Sequence, residues 1–292
     1  LHVIQRTPHW VIARMDWAFP RWLSNVFAFL PLYTVIRWFI YWTLEMRVLA
    51  FKYSRTLLKV LAEGPARKHL KNQVGDEALR KKLTPDFTIG CKRIILSNIY
   101  YPELQKENCE LHDQHDTFIG FTENGLSFAG SGDLEVDVVV FATGYNASDS
   151  MVSYDVTGRK GTRLNEHWRD YPRAYLGTTV PNFPNFFVIT GPNTGIGHTS
   201  AIFVIESQMK YVMRCIDILQ SSKVKAIEPT ESAETEYTEM VHSEMEKTVW
   251  KTGGCASWYQ NKQGKVIAMF PGFSFTFRRL CKRFIFGHHH IE

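Results

Sequence analysis

The residues of this chain whose types and spacing could do chemistry are cations at strand ends and small-residue loops. Arg6 follows the apolar, strand-like run Leu1-His2-Val3-Ile4-Gln5 and precedes Thr7-Pro8, where Pro8 stops regular pairing. A guanidinium at the end of the second strand of a dinucleotide-binding fold holds the 2′-phosphate of a cofactor such as NADP, in place of the carboxylate that binds a free ribose hydroxyl. On that reading a glycine fingerprint belongs roughly 20 residues upstream; a solvated arginine in a turn fits the local sequence as well. Lys92-Arg93 follows Gly90 in a strand-like context, so the two cations should point to opposite faces, one toward a phosphate and one toward a reaction centre. A basic sheet edge that discourages aggregation is the alternative. Ala142-Thr143-Gly144 ends an apolar run and admits close backbone approach to a flat or pyrophosphate ligand. The loop with Gly191, Asn193, Gly195 and Gly197 precedes a helix whose N-terminal dipole favours negative charge.

The elements that must position these residues read as alternating strands and helices. With 292 residues, 45% hydrophobic and 22% charged, the chain is long enough for one large or two modest domains and too apolar for global disorder. Its net charge of +5 suits anionic ligands or an anionic membrane face and is too mild to imply nucleic acid. A helical block is expected from about Trp17 to Lys71. Within it, Asn25 to Glu45 is aromatic enough to be soluble helices over a cleft, an interfacial helix pair or a membrane span, with Pro31 and Arg37 opposing the last. Lys71 to Pro85 reads as a charged linker, and Phe87 to Leu96 as a strand. Thr117 to Phe121 and Leu126 to Phe128 flank Asn124-Gly125, a dipeptide that supplies positive φ to a tight hairpin. Val138 to Phe141 and Phe186 to Ile189 read as strands buried on both faces, and Thr199 to Gln220 as a long helix. Five cysteines, odd in number and scattered, make a disulfide framework or zinc site improbable and a reducing compartment the expectation. No GxSxG, P-loop, HExxH or CxxC motif is present. His288-His289-His290 reads as a tail without a role. A chain that opens on Leu1 inside a strand is expected to be a C-terminal fragment.

Taken together, Val3-Ile4-Gln5-Arg6-Thr7-Pro8-His9-Trp10, Gly90-Cys91-Lys92-Arg93, Phe141-Ala142-Thr143-Gly144-Tyr145-Asn146 and Gly191-Pro192-Asn193 resemble the class B flavoprotein monooxygenases of the Baeyer-Villiger type, over essentially the whole chain. Ser257-Trp258-Tyr259 and Phe270-Pro271-Gly272-Phe273 resemble the branch that acts on long-chain substrates. The resemblance implies an α/β fold of two dinucleotide-binding, Rossmann-like domains with a helical insertion and its N-terminal part missing. Residues 1–95 would be the remainder of an NADP domain, with the insertion at about 17–71, and 96–292 the C-terminal part of an FAD domain. It implies a flavin-dependent monooxygenase using FAD and NADPH, in which a flavin C4a-peroxide adds to a lipophilic ketone to give an ester or lactone. Arg93 would be the catalytic residue, stabilising the peroxide anion and its adduct. Arg6, Thr7 and Lys92 would hold the NADP phosphate. Ala142, Thr143, Gly144, Gly191, Asn193, Gly195 and Gly197 would line FAD, and Trp258 would border the substrate space. No metal is implied. The two glycine fingerprints and the FxGxxxHxxxW signature of the family do not occur in these residues. The expected partners are a lipophilic small molecule and O2, in the cytoplasm, with peripheral membrane contact left open. N- or S-oxygenation, and a truncated non-catalytic product that binds a membrane or partner through the aromatic block and the basic Arg278, Arg279, Lys282 and Arg283, are the alternatives.

Overall fold

The computed structural model describes residues 1–16, 18–28, 30–144, 152 and 154–292. Trp17, Phe29, Tyr145 and Asn146 lie outside the described residues. The chain forms two compact units: Leu1–Trp17, Leu58–Ile89 and Arg93–Tyr145 make the first, and Ala18–Leu57, Gly90–Lys92 and Asn146–Glu292 the second. This division does not coincide with the expected cut at residue 95, and it falls between Lys92 and Arg93. The helical turn α3 (Arg55–Leu58) carries the chain from the second unit into the first.

The first unit is built on two parallel strand pairs. β1 (His2–Ile4) lies beside β4 (Glu110–His112), and β2 (Val11–Ile12) beside β3 (Ile95–Leu96). Val11, Leu70, Val74, Leu83, Tyr101 and Leu104 form its core. They come from β2, from α4 (Gly64–Gln73) with Val74 just beyond it, from α5 (Glu77–Leu83), and from α6 (Tyr100–Glu103) with Leu104 after it. Where a linker is expected at 71–85 there is α5. Asp76 caps it by accepting from the Ala78 and Leu79 amides, and Leu83 is buried in the core, so the charges lie on the face away from that core. The Phe87–Leu96 strand shrinks to β3. The chain turns at Gly90 (φ +89), whose Cα faces the Phe51 ring so closely that an added Cβ would stand 2.4 Å from it. Lys92 and Arg93 are therefore not alternating strand residues.

The expected hairpin is present as β5 (Phe118–Thr122) and β6 (Gly125–Phe128), extended by β7 (Gly132–Glu135). Its two-residue turn is Glu123-Asn124, and neither Asn124 nor Gly125 takes a positive φ. Gly125 instead passes close to β7, where a Cβ would lie 2.0 Å from the Leu134 carbonyl oxygen. Val138 to Phe141 is neither a strand nor buried: Val138 is 75% and Val140 80% exposed, because no described strand runs beside them.

The second unit contains α1 (Arg21–Ala28), α2 (Leu30–Glu45), α7 (Leu164–His167), the long α8 (Ala201–Ser221), α9 (Glu231–Met245), α10 (Val249–Thr252) and α11 (Ser274–Lys282). α8 starts where expected, with the Ser200 hydroxyl accepting from the Ile202 amide. Phe186 to Ile189 is half-buried and turn-like, touching Thr179 through a single bridge at Phe187, because Asn185 and Thr190 on either side take positive φ and break the strand. The three C-terminal histidines are no loose tail. β9 (His289–Ile291) pairs with β8 (Ile227–Pro229), and His289 is buried against the Tyr211 hydroxyl at 2.7 Å. Among the described residues no single helix is long and apolar enough to cross a membrane; Arg21–Ala28 with Pro31–Tyr53, bent by 95°, passes by length and composition only.

A disulfide joins Cys91 to Cys255, contrary to the expectation from cysteine number, because the fold brings together two residues 164 positions apart that no local spacing connects. Cys215 and Cys281 are buried, and burial pushes their thiols up to about 11 and about 12. Loss of so long a closed loop in the unfolded chain makes Cys255→Ser destabilising by about 2–5 kcal/mol under non-reducing conditions. Equal denaturant midpoints for the two proteins would show that the bond does not form.

Candidate functional site

In the first unit Arg6, Thr7 and Arg93 sit close to strand ends, and Ala142, Thr143 and Gly144 do not. Arg6 and Thr7 form a bend directly after β1, and Pro8 lines a cavity of about 600 Å³ together with Lys81, Lys82, Thr84, His112 and Asp113. The cavity thus adjoins the carboxyl end of β4, the place where parallel α/β sheets bind ligands. Arg6 and Arg93 are both exposed, and among the described residues neither makes a hydrogen bond or ion pair. Two guanidiniums left this way keep all their donors for an anion, which is what a phosphate or a developing oxyanion requires. Ala142, Thr143 and Gly144 are exposed as well. Gly144 has φ +84 with open space where a Cβ would stand, so it is the backbone turn, not a close contact within the chain, that calls for glycine there.

In the second unit the candidate residues are drawn onto one segment, 249–270. Asn193 is buried with φ 54; its side-chain amide donates to the Val266 and Met269 carbonyls at 3.1 and 3.0 Å, and its N–H to Ile267 at 2.8 Å. The Gly195 N–H donates to Ala268 at 2.8 Å, and Phe270 donates back to Gly195 at 2.7 Å. A Cβ on Gly195 would stand 2.8 Å from the Ala268 oxygen, and one on Gly191 2.4 Å from the Gly177 oxygen. These residues hold the loop to the protein; their donors do not point at an open anion site. Gly197 is the exposed glycine of the loop. The same segment carries Trp258, 52% exposed and edge-on to Tyr259 at 4.6 Å, and Tyr259 in turn accepts from Ile267 at 2.9 Å. Gly253 packs on Cys91, and the Cys91–Cys255 bond fixes the residue beside Lys92 three positions before Trp258. The Gly191–Gly197 loop, Lys92 and Trp258 therefore share one scaffold.

One buried cluster escaped sequence reasoning. Glu45, at the end of α2 and fully buried, accepts from the Ser274 amide at 3.2 Å and from the Ser274 hydroxyl, and His198 Nε2 stands 3.6 Å away. Tyr41 closes the cluster, its hydroxyl 3.2 Å from the Ser274 oxygen. Burial would raise the Glu45 carboxyl, but the His198 and Ser274 contacts outweigh it and hold the group below its ordinary value. The cluster ties α2 to the turn that follows the glycine loop. The available signal was that Glu45 is the one acidic residue in the aromatic run of α2.

No protein-family model matches the chain. A Baeyer-Villiger monooxygenase of Pseudomonas aeruginosa is 36% identical over 293 residues, which span 100% of this chain and 55% of the relative. A Baeyer-Villiger monooxygenase of Streptomyces coelicolor is 37% identical over 290 residues, 97% of this chain and 54% of that one. This chain belongs to the Baeyer-Villiger monooxygenase family. It spans about half the length of the curated family members it matches. A solved structure, OTEMO in complex with FAD and NADP, superposes with a TM-score of 0.84 at 20% identity over 100% of this chain and 62% of that one, which shows that the family's Rossmann-type fold is kept.

Because Glu45 has its carboxyl held down in the folded protein, it stabilises the fold above its ordinary value of 4.5, and this contribution is lost as pH falls through its lowered value. Glu45→Gln should cost about 1–3 kcal/mol at neutral pH and flatten the loss of stability on acidification. Identical acid unfolding curves for the two proteins would remove the charge from Glu45.

Proposed function

We propose that this chain contributes the phosphate-binding cations and part of the flavin-facing loops of an FAD- and NADPH-dependent monooxygenase that converts a lipophilic ketone to an ester or lactone. The reaction consumes ketone, O2, NADPH and a proton and yields ester, water and NADP+. The observation that carries the reading is the pair of exposed guanidiniums, Arg6 and Arg93, without a hydrogen bond or ion pair among the described residues, one following β1 and one preceding β3 in a parallel-stranded unit. Relatives of 36% and 37% identity that bear the Baeyer-Villiger name support the reaction class.

The residues present fit the groups they would hold. Arg6, with Thr7 beside it, binds the 2′-phosphate, and the cavity bordered by Pro8 has room for the rest of an adenosine phosphate, its lining setting Lys81 and Lys82 among Asp86, Glu110, Asp113 and Asp116. In the second unit, the half-buried Lys92 offers a cation to a cofactor phosphate. FAD, when bound, supplies the activation of O2. Thr143, Gly144 and the exposed Gly197 offer it a backbone surface, and Asn193 and Gly195 keep the loop in shape through the bonds to 266–270. Arg93 holds its permanent charge toward the oxygen on which negative charge develops, an electrostatic role that needs no proton transfer. Trp258 forms an apolar wall for the ketone. The exposed Trp38, Phe39 and Trp42 of α2 agree with a lipophilic substrate.

In a chimera that joins this chain to the remaining length of the Pseudomonas aeruginosa relative, Arg93→Ala should still allow NADPH to reduce the flavin. Ester formation from a long-chain ketone should fall by about 10²–10³-fold. Undiminished ester formation would take Arg93 out of the reaction.

A further inference from the structure

We propose that His2, Glu110 and His112 form a binding site for a divalent transition-metal ion of the zinc class, at the edge of the cavity that Glu110 and His112 also line. β1 and β4 run parallel with His2 opposite Glu110 and Ile4 opposite His112. The two-residue period of a strand places Glu110 and His112 on one face, with His2 beside them. Their donor atoms converge: His2 Nδ1 is 3.2 Å from His112 Nε2 and 3.5 Å from Glu110 Oε2, and all three lie within 4.8 Å of one another. A tetrahedral ion with bonds of about 2.0–2.1 Å sets its ligand atoms about 3.3–3.4 Å apart. Two of the three edges, 3.2 and 3.5 Å, lie close to that length.

The surroundings of His112 are those of a ligand held in one orientation. Its ring is 3% exposed and stacks on Phe128 at a centroid distance of 4.9 Å. Its Nδ1 lies 2.8 Å from Asp116 Oδ2, and Asp116 also accepts from the Gly130 and Ser131 amides and the Ser131 hydroxyl. With Nδ1 turned to this carboxylate, which can only accept a hydrogen bond, Nε2 is the ring atom that faces His2 Nδ1. A carboxylate behind a histidine is the usual outer arrangement of a metal-bound imidazole. Glu110 is 63% exposed, so an ion has a path in and water can fill a fourth position. Two imidazoles and a carboxylate, with a second carboxylate behind, favour a dication of intermediate softness over calcium or magnesium.

Cobalt(II) is the probe. One equivalent added to the full chain should give the visible ligand-field absorption of a tetrahedral site, and zinc should abolish it. The band should vanish in His2→Ala and Glu110→Gln, positions exposed or half-buried enough to be changed with the fold intact, and circular dichroism checks that. It should persist in His290→Ala, the exposed C-terminal histidine. Asp116→Asn should weaken binding about 10–100-fold. Absence of a stoichiometric band, or a band that survives both His2→Ala and Glu110→Gln, would reduce the cluster to a His2–His112 hydrogen bond beside an idle carboxylate and overturn the proposal.

Discussion

The buried side chain of Asn193 is the constraint on which the second unit's architecture depends. Its amide bridges two carbonyls of the 266–269 segment while its backbone is forced to positive φ, so the loop after residue 191 can take one course only. Gly195 extends this contact by approaching Ala268 more closely than any side chain would permit. Segment 249–270 then carries Trp258 outward and, through Cys255, holds Cys91 and the adjoining Lys92. An interaction that is purely structural in itself thereby sets the places of residues expected to meet cofactor and substrate. This is why Asn193 and the glycines, expected to line FAD, serve first as mortar for the loop.

The first unit follows a different logic. Its candidate residues are held by almost nothing of their own. Arg6 and Arg93 project from the ends of short parallel strands whose positions are fixed by Val11, Leu83 and Tyr101. A guanidinium without an internal partner keeps its full hydrogen-bonding capacity for an anion, and the neighbouring cavity provides the volume. On the rungs of the same strands His2, Glu110 and His112 face one another, and Glu110 and His112 also line that cavity.

Local signals in the sequence were read correctly where local physics decides. β1 before Arg6-Thr7-Pro8, the pairing of β5 with β6 and the helix α8 all follow from apolar patterning, while the positive φ expected at Asn124-Gly125 is not taken. Reading failed where distant residues decide. α5 looked like a linker because its charged face outnumbers the leucines that dock it. Val138 to Phe141 has a buried strand's composition and no described strand to pair with. The Cys91–Cys255 bond and the Glu45–Ser274 contact join residues 164 and 229 positions apart, beyond the reach of any spacing rule. Arg6, Lys92, Arg93 and Trp258 are at least partly exposed, as a binding role requires, whereas Asn193 and Gly195 are hydrogen-bonded to the 266–270 segment, which no local spacing announces.

The central claim is that the unpaired cation after β1 grips the 2′-phosphate of NADPH. It is tested most directly by calorimetric titration of the chain with 2′,5′-ADP and with 5′-AMP, for the natural protein and for Arg6→Ala. The expected result is preferential binding of 2′,5′-ADP that disappears in Arg6→Ala, while the weak binding of 5′-AMP stays the same. Equal affinity for the two nucleotides in the natural protein, or a preference that survives loss of the guanidinium, would contradict it.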